Sequence, residues 1–383
     1  TGQDTHDEDN FSARAQMAWT ASDELEVLLG VDYARDDNNG NCRVNGSLDI
    51  DDRGLVPVYQ GVVDATTGGD IRKCAGFNES YQKREINGFL GKVIWDTSIG
   101  TLTSISAYRS SDYQWLEDLG GLPKGLAPLD ISDAASEEAS QFSQELRLSS
   151  DSDGSLQWLV GYFYMQEQVD RSERFVSELQ GPLTGIAFLG GDVEFLQDVE
   201  TTTHAFFGSM DYQLTEALSI TAGMRWSYDK KVAKQASVDH ELNGLPGIPL
   251  NAAPFSTQAS DDWSDVTPSI SIDYQLNDDS FLYFTVAQGF KSGAFPSQTT
   301  TIEAAATTLE PEEATSYELG AKTEWFHNRL RINAAVYTMD YENLQIFSLQ
   351  NLLLVSGNGQ ATTKGADVEF VAAITPQLHI SGS

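Results

Sequence analysis

The sequence is short of positive charge. Against 57 Asp and Glu it sets only 23 Lys and Arg, a formal net charge of −34. That argues against nucleic acid as a partner, whose phosphates need a basic surface. It argues equally against docking on an anionic leaflet through a polybasic patch. Long apolar runs are also missing. The longest are short, such as "LLLV" at 352–355, far below the ~18 residues of a transmembrane helix. The five histidines, His6, His204, His240, His327 and His379, are scattered singly and read as surface or lumen polar residues. There is no Gly-x-Ser-x-Gly, no His-Glu-x-x-His and no Gly-rich phosphate loop, so neither an enzyme nor a resident cofactor or metal is expected. No signal peptide opens the chain, and "LHISGS" closes it just as an alternating segment begins. We expect an internal piece of a longer protein.

What is present is alternation. In "LSITAGMRWSYDK", Leu218, Ile220, Ala222, Met224, Trp226 and Tyr228 share one phase, and Ser219, Thr221, Gly223, Arg225, Ser227 and Asp229 the other. Strand side chains point to opposite faces with period 2. The pattern lasts about eleven residues, the length that crosses a bilayer as a tilted strand. "DELEVLLGVDY", "VTPSISIDYQ" and "SYELGAKTEW" repeat it. In "SQFSQELRLSS", Phe142, Leu146 and Leu148 share a face that Gln144 interrupts. Alternation fits a soluble antiparallel sheet as well as a lipid-embedded barrel.

The connections help to choose between these. Short ones fall at 20–24, 96–100, 150–154, 214–217, 276–279, 326–329 and 375–377. Between them, in strict alternation, long ones fall near 36–79, 116–135, 172–199, 233–261, 291–311 and 346–360. Transmembrane barrels of bacteria have short periplasmic turns and long extracellular loops, whereas a soluble sandwich has no reason to sort loops by parity. The expected fold is all-β: an antiparallel up-and-down transmembrane β-barrel domain over residues 1–383, with about 13–14 strands. Trp19, Trp95, Trp226, Tyr228, Tyr274 and Trp325 lie near strand ends, as interfacial girdles require.

Two cysteines, Cys42 and Cys74, lie in one Gly/Asp/Asn-rich loop. A disulfide fits an oxidising, exterior compartment; free thiols or a metal are the alternatives. The acidic stretches 32–41 and 48–54 cluster oxygen ligands around glycines, as calcium loops do, without the full pattern, and a solvated acidic loop is the competing reading.

Specific strings then carry a resemblance. "ATSYELGAKTEWFHNRLRINAAVYTMDYENLQ" (314–345), "VAQGFKSGAF" (286–295), "TTKGADVEF" (362–370), "TLTSISAYRS" (101–110) and "QFSQELRLSS" (141–150) resemble, in order, segments of TonB-dependent outer-membrane receptors. Asn328 suits a tight turn, and Gly289 and Gly293 suit a strand end where a Cβ would crowd. The resemblance implies a 22-stranded barrel, here without its N-terminal plug, TonB box and last strands. It implies active uptake of a scarce, bulky nutrient across the bacterial outer membrane, by default a ferric siderophore, with the TonB complex and outer-membrane lipid as partners. Cobalamin, haem and oligosaccharide are alternatives within the class. A passive channel or adhesin barrel, and a soluble multi-domain β protein, are alternatives outside it.

Ligand contacts are expected from loop aromatics: Tyr113 and Trp115 in "DYQWLED", Phe255 and Trp263 in "PFSTQASDDW". Convergent aromatic and polar groups suit a bulky amphipathic ligand; girdle or loop packing is the competing reading. Arg225, Lys322, Glu318, Glu324, Asp211 and Asp273 fall on the polar phase and are expected to line a wet interior.

Overall fold

The structure, a computed structural model, describes residues 7–40, 80–119, 129–151, 154–179, 191–240, 254–350 and 353–383. They form one sheet of 14 strands in sequence order, each paired with its chain neighbours. The strands are β1 (Asn10–Ser22), β2 (Leu25–Asn39), β3 (Tyr81–Thr97), β4 (Gly100–Asp118), β5 (Leu129–Ser149), β6 (Leu156–Leu179) and β7 (Gly191–Thr215). They continue as β8 (Leu218–Asp239), β9 (Phe255–Asn277), β10 (Ser280–Lys291), β11 (Glu312–Trp325), β12 (Leu330–Gln350), β13 (Leu353–Thr375) and β14 (Leu378–Gly382). Every pairing is antiparallel. Each short connection expected from the sequence and described in full joins two strands as a turn; 150–154 contains residues outside the description. Cys42, Cys74 and the stretch 48–54 lie outside the described residues.

The face that sequence alternation made apolar is bare. Met17, Trp19, Val31, Val160, Phe206, Met210, Met224, Ile270, Leu319 and Val336 are among its exposed large side chains. A continuous apolar surface over so many strands is what lipid covers. Trp19, Trp95, Tyr212, Tyr274 and Trp325 lie within three residues of the short-turn ends. A second aromatic row runs higher up. Tyr162 and Phe206 have ring centroids 4.9 Å apart, Phe206 and Trp226 6.0 Å, Trp226 and Tyr228 6.4 Å. His204 joins this row, its Nδ1 2.8 Å from the Tyr162 hydroxyl. From Tyr212 to His204 is eight residues, about 27 Å along a strand. At a tilt of about 40° that is about 21 Å of height, close to the apolar band of known barrels. Gln144 keeps its place on this face because its polar groups are occupied: its Nε2 donates to Ser104 Oγ at 3.0 Å and to the Glu145 carbonyl at 3.2 Å, and its Oε1 accepts from Ser106 Oγ at 2.5 Å. Desolvating the amide therefore leaves no open donor or acceptor to penalise.

The opposite face is polar and internally bonded, as its sequence phase predicts. Arg225 lies over Phe163 and Phe207, Lys322 over Phe281 and Tyr283, and Glu324 faces Arg331 at 3.4 Å. Thr221 donates to Asp211 at 2.7 Å, Ser271 to Asp273 at 3.2 Å, and Tyr283 to Glu318 at 2.6 Å. The Tyr283 ring lies where a Cβ on Gly320 would be. Asp32 reaches across Gly88 to Arg109, 2.8 Å away, while Asp36 pairs with Arg84 and Asp37 with Arg35. The carboxylates of 32–39 are thus spread over both faces of β2 and matched to guanidinium groups, not gathered around a cation.

Three local expectations change. The strands run on into stretches expected as loops: β6 and β7 pair from Ser177↔Gly191 downward, and β8 continues to Asp239. Beyond the lipid the outward face is wet and the inward face buries polar residues such as Gln235 and Ser237 beside Ala233, so backbone pairing persists without alternation to mark it. At the 326–329 turn, Phe326 and His327 share the positive φ of Asn328, at 58°, 59° and 64°. Finally, a Cβ on Gly289 would meet open space, so crowding does not explain that glycine; at Gly293 a Cβ would strike the Trp263 ring and the Leu309 carbonyl.

Candidate functional site

The four expected aromatics lie on strands, not in loops. Tyr113 and Trp115 belong to β4, which extends to Asp118; Phe255 opens β9 and Trp263 lies within it. All four have the inward phase. Trp115 is 15 residues from Gly100 at the short-turn end, about 51 Å along the strand and about 39 Å in height at ~40° tilt. The lipid band is only about 25 Å tall, so these residues stand on a wall above the membrane.

Tyr113 and Trp115 are brought together, their ring centroids 4.9 Å apart. Gln82 donates its amide to the Tyr113 hydroxyl. Tyr113 stands opposite Glu137, and Glu137 opposite Arg171; Trp115 stands opposite Ala135, and Ala135 opposite Glu173. The small Ala135 leaves room for Arg171 to lie over Trp115, 5.1 Å from its ring centroid. Arg171 also donates to Glu137 at 3.0 Å and to Glu173 at 2.8 Å. Burial pulls its pKa down, but Glu173 and Glu137 outweigh that and hold it above the usual value. Among the described residues, Asp133 Oδ1 and Arg171 Nε are buried without a hydrogen-bond partner. Burial, reinforced by the Glu173 charge, pushes the Asp133 carboxyl up to about 7. The site therefore holds one guanidinium already divided between two carboxylates, a third carboxyl that titrates near neutrality, and two aromatic rings.

Trp263 belongs to a second cluster. The β10–β11 connection folds back onto the inward face of β8 and β9. It carries a one-turn helix, α1 (Ile302–Ala306), capped by Thr301, whose Oγ1 accepts from the Ala304 amide at 3.1 Å. Gln235, 4% exposed, donates to the Ala305 carbonyl at 3.3 Å. Lys231 donates to the Gly293 carbonyl at 2.8 Å and lies 5.8 Å from the Trp263 centroid. Burial lowers its pKa. Ala294 and Leu309 form an isolated antiparallel bridge, and Phe295 is buried. Trp263 thus packs under this segment at Gly293. Phe255 lies eight residues farther out on β9, about 27 Å along the strand, and opposite Ser237. β4 and β9 are five strand spacings apart, about 24 Å along the wall, so the two aromatic pairs do not form one pocket on the sheet.

Sequence reasoning missed Arg171, Asp133, Glu173, Lys231 and α1. The inward phase of β5 and β6, continued past the lipid band, marks the first three. Thr301 before "IEAAA", with Glu303 in the first turn, marks the helix.

Comparison with known proteins agrees with this architecture. Residues 50–382 match the family described as TonB dependent receptor-like, beta-barrel. The pesticin receptor of Yersinia pestis is 27% identical over 171 residues, 44% of this chain and 23% of that protein. The ferric-pyoverdine 358 receptor of Pseudomonas putida is 25% identical over 241 residues, 58% of this chain and 26% of that protein. The crystal structure of the ferric yersiniabactin uptake receptor FyuA from Yersinia pestis superposes with a TM-score of 0.69 at 17% identity, covering 96% of this chain and 50% of that one. The siderophore receptor PiuA from Acinetobacter baumannii gives 0.64 at 15% identity, with 97% and 55% covered. At such identities the structural likeness speaks for the fold. The matches span about a quarter of these curated relatives and about half of the solved receptors. The chain belongs to the TonB-dependent receptor β-barrel family, and its strands form the wall of a bacterial outer-membrane barrel.

Proposed function

We propose that the intact protein takes up a ferric siderophore across the outer membrane, with energy supplied by the TonB complex. The observation that carries the reading is the family match over residues 50–382, joined by relatives whose names specify ferric siderophores. The inward wall supports it locally: Tyr113, Trp115, Phe255 and Trp263 stand above the lipid band, on the face that lines the ligand's route. In this reading Tyr113 and Trp115 offer the ligand apolar surface, and Trp263 does so through the segment it supports.

The test is radiolabelled iron uptake by iron-starved cells of the source organism, with and without the gene, supplied with a panel of ferric chelates. Loss of uptake of at least one chelate in the deletion strain, and the same loss in a strain lacking TonB, is the expected result. Unchanged uptake of every chelate, with no rise of the protein in outer membranes on iron starvation, would move the substrate away from iron.

A further inference from the structure

Among the described residues, the inward wall above the membrane offers an anionic ligand no cation that lacks a partner. More than ten residues from the short-turn ends, the described strands carry four inward-facing cations: Arg84, Arg171, Lys231 and Lys291. Each is already engaged. Arg84 holds Asp36 through two nitrogens, at 2.9 and 2.5 Å. Arg171 is shared by Glu137 and Glu173 and its face is against Trp115. Lys231 is bound to a backbone carbonyl beneath the folded-back segment. Lys291 faces Glu312 at 3.8 Å.

Carboxylates on the same wall are in surplus. Asp133, Asp229 and Asp261 have no cation within salt-bridge distance among the described residues; Asp229 accepts from Thr203, and Asp261 from Thr308 at 2.8 Å. The folded-back segment, residues 292–311, contains Glu303 and Glu310 and no Lys or Arg. The connections 41–79, 120–128, 180–190 and 241–253 do not reverse the balance: their sequences hold five Lys or Arg against seven Asp or Glu.

From this we infer, resting on the uptake reading above, that the ligand this wall admits carries no net negative charge: a neutral or cationic ferric chelate, such as a hydroxamate type, rather than a trianionic tris-catecholate. An anion entering here meets repulsion from unpaired carboxylates, and the guanidinium charges it could approach are already offset by carboxylates beside them. A chelate bearing protonated amines finds both carboxylates and the ring of Tyr113.

The experiment is equilibrium binding to the purified full-length receptor in detergent at pH 8, where the Asp133 carboxyl is ionised, followed by tryptophan fluorescence. The probes are ferric complexes of similar size: a cationic and a neutral tris-hydroxamate, and a trianionic tris-catecholate. The expected result is a preference of about tenfold or more for the hydroxamates. Added salt should weaken the cationic complex and strengthen the anionic one, because screening removes attraction and repulsion respectively. The double variant D133N/D261N should narrow the gap by favouring the catecholate. A catecholate bound as tightly as the hydroxamates or more tightly, and weakened by salt, overturns the charge assignment and leaves the uptake reading standing. Binding of no chelate, together with iron uptake unaffected by deletion of the gene, removes the uptake reading and this inference with it.

Discussion

Replacing Met224 by Arg tests where the lipid lies. Met224 is outward and 62% exposed. It stands four residues above Ile220, which pairs with Tyr212 of the lower aromatic row, and four below Tyr228, which pairs with His204 of the upper one. That places it at the midplane of the apolar band. Its partners across the sheet are Gly208 and Pro268, neither of which offers a side-chain acceptor to a guanidinium. Arg at the midplane of a barrel's lipid face costs about 2–4 kcal/mol; near 3 kcal/mol, the folding equilibrium falls about 150-fold. Ala236 has the same phase on the same strand, eight residues beyond Tyr228. There A236R should cost no more than about 0.5 kcal/mol, as at an ordinary wet surface. The assay is urea unfolding of the full-length receptor folded into lipid vesicles, read by intrinsic tryptophan fluorescence. If M224R costs less than about 1 kcal/mol more than A236R, the band drawn between the two aromatic rows is misplaced.

The Asp133 carboxyl supplies a pH prediction. Its folded pKa, pushed up to about 7 by burial and the Glu173 charge, exceeds the ~4 of an unfolded chain. The folded state therefore holds this proton more tightly, so the group's contribution to stability is greatest below pH 4 and falls as pH rises towards 7. D133N should be more stable than the parent at pH 8, with the difference shrinking towards pH 4. Urea midpoints at three pH values measure it, and a constant difference would refute it. On the inner face, G320V would displace the Tyr283 ring and break its 2.6 Å bond to Glu318. The expected cost is about 1–3 kcal/mol, against about 1 kcal/mol for Y283F; equal costs would mean that the ring does not need the glycine.

How much could be read from sequence depended on whether a strand residue had lipid on one side. From Leu218 to Tyr228 the bilayer forces a choice at each position, and the alternation gives both strand and orientation. From Val232 to Asp239 the same strand continues between water and a packed interior, and residues such as Lys234 and Gln235 carry no legible rhythm, so this stretch reads as loop. That is also why Tyr113, Trp115 and Trp263 are recognised as aromatic but misplaced in loops. Their neighbours Arg171 and Glu173 become visible only when register brings β6 alongside β5. The short turns among the described residues were legible because Asp, Asn, Gly and Thr mark them directly. The strain at Phe326 and His327 was not, since neither residue signals a left-handed backbone.

The bridge between Ala294 and Leu309 has a consequence for how this protein can vary. The 14 residues between them leave and rejoin the barrel at adjacent points, so the paired ends of β10 and β11 at Lys291 and Glu312 do not register what is threaded through the bridge. Doubling the enclosed length costs only about 0.6 kcal/mol of closure entropy. Added length between the bridge residues is thus tolerated by the lipid-facing staves, held by their own pairing, so long as Gly293 stays hydrogen-bonded to Lys231 and Ala305 to Gln235.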